Sequence, residues 1–109
     1  MNELYGYADR VNEKDWKLFR SRLPDWQEGY MKKLLQEYAE ILNGDGLASE
    51  KFWALEDRIR QDRQNPGVLI TKMSRSKMRI NLLRLLDSKV ITASDLEGFS
   101  DELREDLCQ

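Results

Sequence analysis

The chain reads as an all-α protein, a compact bundle of about five helices around a central helix near residues 76–87. Three observations carry that reading. Met-Arg-Ile-Asn-Leu-Leu-Arg-Leu-Leu-Asp, residues 78 to 87, spreads Met78, Ile80, Leu82, Leu83, Leu85 and Leu86 around most of a helix, with Asn81 and Arg84 on the remaining side. Trp26, Tyr30, Leu34, Tyr38, Ile41 and Leu42, reinforced by Met31 and Leu35, keep three- and four-residue spacing over several turns. Turn signals at Pro24, Asn43-Gly-Asp-Gly and Asn65-Pro-Gly cut the chain into helix-sized pieces.

Residues 1–11 show no period and are expected to be a flexible N-terminus, although Leu4, Tyr5 and Tyr7 could dock on the core. Residues 12–109 are expected to form a single helical domain, because 109 residues suffice for one core and not for two. Asn12 is a candidate N-cap, with Asp15 at the third helical position and Trp16, Phe19, Arg20 and Leu23 on the apolar face. Pro24 is expected to end that helix and Asp25 to cap the next. Glycine at Asn43-Gly-Asp-Gly stops the second helix by supplying the left-handed conformation a helix end favours.

Ser49 is expected to cap a third helix with Phe52, Leu55 and Ile59 inward and Trp53 at the edge of the stripe. Asn65-Pro-Gly is a turn in which Gly67 takes the left-handed torsion. The pattern of residues 78 to 86, extended backwards, would bury Lys72 and Arg75, so a kink or a restart capped by Ser74 or Ser76 is expected. A short strand at residues 68–71 is an alternative without an obvious partner. Thr92 with Asp95 forms a capping pair, Leu96 and Phe99 fold back on the core, and Ser100 caps a last turn or two with Leu103 and Leu107 inward.

The chain contains no histidine, which removes the usual neutral-pH proton shuttle and the commonest transition-metal ligand. Zinc sites and Ser-His or Cys-His nucleophiles are excluded with it. Cys108 is the single cysteine, so an intramolecular disulfide is excluded as well, and a reducing cytosol fits best. Glu37 and Glu40, three apart on a helix, match half of the carboxylate pattern with which all-helical nucleotide pyrophosphohydrolases hold magnesium; the second half is missing, since Trp53 follows Glu50 and Ile59 follows Glu56. Asn43-Gly-Asp-Gly fails as a calcium loop because Ile41 and Phe52 fall on ligand positions. No phosphate-binding glycine motif is present. No catalytic, cofactor-binding or metal residues are assigned, and no small-molecule substrate is evident.

The formal charge of −2 favours neither a nucleic-acid nor an acidic-mimic role for the whole chain. Locally, Lys72, Arg75, Lys77, Arg79, Arg84 and Lys89 stand against Asp87, and a tail of Asp95, Glu97, Asp101, Glu102, Glu105 and Asp106 stands against Arg104. The two stretches are expected to neutralise each other. The sharper alternative makes Arg58, Arg60, Arg63, Lys72, Arg75, Lys77 and Arg79 a basic face for nucleic acid or an acidic partner. Trp16, Trp26 and Trp53 lie on or beside apolar stripes, so a core role is the default for each. Indole is also a preferred anchor of protein interfaces, which makes Trp16 and Trp53 the candidate contacts, with Trp53, off the Phe52–Leu55–Ile59 line, the one favoured if any is exposed.

Trp16-Lys-Leu-Phe-Arg, Leu23-Pro-Asp-Trp-Gln-Glu with Tyr30-Met, Lys51-Phe-Trp-Ala-Leu-Glu with Arg58-Ile, Pro66-Gly-Val, and Asp95-Leu with Phe99-Ser-Asp-Glu-Leu resemble a family of short bacterial cytoplasmic proteins without an assigned activity. The likeness covers about residues 12–107 and implies a single helical domain with no catalytic residues. Some members of that family bear a multidrug-transporter label; it is not carried over, because no apolar segment here approaches the ~20 residues that span a bilayer. The leading expectation is a cytoplasmic, non-enzymatic regulatory or adaptor protein that contacts another protein or itself, away from membranes. Nucleic-acid association through residues 58–84 is the alternative.

Overall fold

Asn12 opens the first helix as its spacing suggests: its Oδ1 accepts from the backbone N–H groups of Lys14 at 2.8 Å and Asp15 at 3.3 Å. From there the computed structural model, which describes residues 11–108, runs through α1 (Glu13–Asn43), α2 (Ala48–Asp62), α3 (Met78–Asp87) and α4 (Asp101–Leu107), with 3-10 turns at Arg75–Lys77 and Ala93–Leu96. The fold is all-helical, with four α-helices where about five were expected, and the possible strand at residues 68–71 is loop. The expected docking of Leu4, Tyr5 and Tyr7 falls outside the described residues. Val11, placed by the sequence in the flexible terminus, packs against the core.

The missing fifth helix is explained at Pro24, which lies inside α1 and does not end it. A proline within a helix forfeits one backbone bond and crowds the preceding turn, at about 3 kcal/mol. The apolar stripe nevertheless crosses it in phase. Trp16, Phe19 and Leu23 before the proline and Trp26 after it all join one cluster, while Pro24 itself faces solvent. The aromatic rings form a chain through that cluster, with centroids 6.2 Å apart for Trp16–Phe19 and 6.4 Å apart for both Phe19–Trp26 and Trp26–Phe99. Breaking the helix would have pulled this chain apart.

The core sits against the N-terminal half of α1. Met78, Leu82 and Leu85 from α3, Ile91 and Leu96 from the following turns, Phe99, and Leu107 from α4 close over Trp16, Phe19 and Leu23. α3 is one wall of this head and is not sheathed all round. Its Ile80 is 46% exposed, whereas Asn81, read as belonging to the open side, is buried and donates from Nδ2 to the Lys72 carbonyl at 3.0 Å. That bond holds the loop ahead of α3, where the chain restarts after Ser74 as a 3-10 turn and leaves Lys72 and Arg75 in solvent.

Two buried or half-buried polar side chains lock the C-terminal segment onto α1; the sequence reads Asp15 only as an acid at the third helical position and gives Arg22 no role. Asp15 accepts from the Ser100 backbone N–H at 2.8 Å and from its hydroxyl at 2.6 Å, while the same hydroxyl caps α4 by accepting from the Leu103 N–H at 3.3 Å. Arg22 donates to the carbonyls of Asp95, at 3.0 Å, and Glu97, and its guanidinium lies over the Phe99 ring.

Glycines serve two different purposes. Gly46 takes φ +128 in the α1–α2 turn, while Gly44, the first residue after α1, stays extended. Gly67, expected to supply a left-handed torsion, is instead required for space: a Cβ there would lie 2.4 Å from the Tyr30 ring and 2.7 Å from Val90. The left-handed position after α3 is filled by Lys89 at φ 60, and the N–H of Val90 closes the helix end on the Leu85 carbonyl at 2.9 Å. A side chain in that conformation costs on the order of 1 kcal/mol relative to glycine. Lys89→Gly is therefore expected to raise the denaturant midpoint, by about 0.5–1 kcal/mol of added stability, with no change in helix content by circular dichroism.

Candidate interaction site

α1 contains 31 residues, about 46 Å at 1.5 Å per residue, and only its first half is clothed by the head. The second half pairs with α2 as an antiparallel hairpin that projects as an arm. The molecule accordingly measures 61 × 27 × 24 Å, and its radius of gyration of 17.4 Å exceeds the ~13 Å typical of a compact chain of this size.

The arm is joined mostly by polar contacts on one side. Arg58 reaches Glu37 at 2.7 Å and Asp62 at 3.1 Å, and the Tyr38 hydroxyl donates to Asp62 at 2.5 Å. Burial, then the bond to Asp62, pushes the Tyr38 phenol up to about 12, so the ring keeps its proton and remains a donor. At the foot of the arm, Gln27 donates from Nε2 to the Pro66 carbonyl at 3.0 Å and Gly67 lies against Tyr30. At the tip, α2 begins at Ala48, with Leu47 in the capping position assigned above to Ser49; the Glu50 carboxylate accepts the Leu47 N–H at 3.2 Å.

The opposite side of the arm carries its exposed apolar side chains, with Glu56 and Arg63 among them on α2. Leu34 is the arm's one fully buried apolar side chain, and α2 buries none. At about 100° per residue, Met31, Leu35 and Leu42 lie about 60–100° round α1 from the Leu34 line, and Phe52 and Ile59 lie about 40–60° round α2 from Leu55. Glu37 and Arg58 each sit about 60° the other way and meet, so in an antiparallel pair the apolar residues share the face turned away from that ion pair. Leu35 and Phe52 each keep 63% of their surface, Leu42 48% and Ile59 39%. Trp53, also 63% exposed, stands further round α2 with its ring edge-on to Phe52, centroids 5.0 Å apart, and Leu47 extends the apolar surface to the tip at 67%. Between Phe52 and Arg63 the α2 surface forms a shallow groove of about 360 Å³, lined also by Leu55, Glu56, Ile59 and Arg60.

The other sequence candidates fare differently. Trp16 is a core residue, 6% exposed, covered by the guanidinium groups of Arg20 at 5.7 Å and Arg75 at 5.6 Å, which leaves it no face to offer a partner. Phe52 and Ile59, expected inward, face out, because α2 turns the Leu55–Arg58–Asp62 side toward α1.

The basic residues are dispersed. Arg58 pairs within the arm, Arg60 pairs with Glu56 at 2.5 Å one turn away, Arg75 pairs with Glu13 at 2.8 Å, and Arg79 binds Asp106. The last of these joins the basic stretch to the acidic tail, whereas Arg75 goes to Glu13 and Asp101 to Arg104 within the tail, so the expected neutralisation is seen at one ion pair among the described residues. The Arg75 guanidinium beside Glu13 also holds that carboxyl below its usual range. Arg63, Lys72 and Lys77 have no ion pair among the described residues. Glu37 is occupied by Arg58, and no three metal-ligating side chains converge among the described residues.

No family model, curated protein or solved structure matches this chain. No described helix is long and apolar enough to cross a membrane.

Proposed function

We propose that this protein is a small, non-enzymatic regulatory or adaptor protein that works in the cytoplasm by protein–protein contact, with the apolar face of the α1–α2 arm as its binding surface. One observation supports this above the rest: Leu35, Leu42, Phe52 and Ile59, four large apolar side chains on two different helices, share one face of a projecting hairpin and remain in water. Apolar residues scattered singly over a surface need no explanation; aligned across a helix pair they constitute an unburied half-core. Trp53 beside Phe52 supplies the aromatic anchor on which interface energy concentrates. The nucleic-acid alternative has weaker support, since Arg58, Arg60, Arg75 and Arg79 of the basic set already hold carboxylates and Trp16 lies under Arg75.

The test replaces Leu35 and Ile59 with lysine together. Both are exposed, so the melting transition is expected to stay close to that of the wild type. The tagged wild-type chain is expected to recover a protein in fixed proportion to itself, and the double variant to recover none. Recovery of the same protein by both, or of nothing by either, contradicts the reading.

A further inference from the structure

We draw no further inference here: the strongest candidate, the exposed apolar face of the α1–α2 arm, is the surface already described, and nothing in the structure shows what covers it.

Discussion

Phe19→Ala is expected to lower the free energy of unfolding by about 3–5 kcal/mol, measured as a shift of the denaturant midpoint. Phe19 is fully buried, and its ring links Trp16 to Trp26 at 6.2 and 6.4 Å, so truncation removes a large apolar group and opens a cavity across the part of α1 where Pro24 has already weakened the backbone. Surrounding helices cannot collapse into that space without separating the aromatic chain from Phe99. The comparison that gives the number meaning is Leu35→Ala, which removes a side chain of similar character from the exposed face of the same helix. Its expected cost is within about 0.5 kcal/mol at concentrations too low for association. An equal loss at both positions would show that the arm face is covered within the monomer.

Asp15→Ala is expected to cost about 2 kcal/mol, because it strands two half-buried donors, the backbone N–H and the hydroxyl of Ser100. The loss is local in origin and wide in effect: Ser100 caps α4, and α4 carries Leu107 into the core. Hydrogen exchange is expected to accelerate first at the Leu103 amide and the rest of α4, with α2 unchanged. Asp15→Asn keeps an acceptor for one of the two donors and is expected to lose about half as much. A uniform rise in exchange along the chain would contradict the assignment of Asp15 as the clamp between α1 and the C-terminal segment.

Helix formation was legible wherever spacing and capping agreed. Asn12, the run from Trp26 to Leu42, Thr92 with Asp95, and Ser100 each carry a local signal that the fold keeps. Pro24 misleads because its penalty is local while the compensation, Leu23 and Trp26 packing on residues more than fifty positions later, is not. The phase of the stripe through the proline was the available clue. The Met78–Asp87 run misleads in the opposite sense. Six apolar residues in ten imply a sheathed helix, yet Ile80 is open and Asn81 is drawn inward by the Lys72 carbonyl, a partner no periodicity identifies.

For the candidate site, Trp53 stood out in the sequence by lying off its stripe, but the face it borders did not. Phe52, Leu55 and Ile59 read as one inward line. Which part of that line meets α1 is decided by Arg58 reaching both Glu37 and Asp62, long-range pairing that leaves no mark on spacing. The long-range roles of Asp15, read only as an acid at the third helical position, and of Arg22 were missed for the same reason, since each bonds a backbone more than seventy residues away.

A photo-crosslinking residue placed at Phe52, with Lys17 on the exposed side of the head as its reference, measures most directly whether another chain covers the arm. Irradiated in living cells, the Phe52 position is expected to yield one discrete adduct, abolished by Leu35→Lys with Ile59→Lys, and the Lys17 position none. Adducts from neither position, or equally from both, would mean that the apolar face of the hairpin stays in contact with water and that the proposed function is wrong.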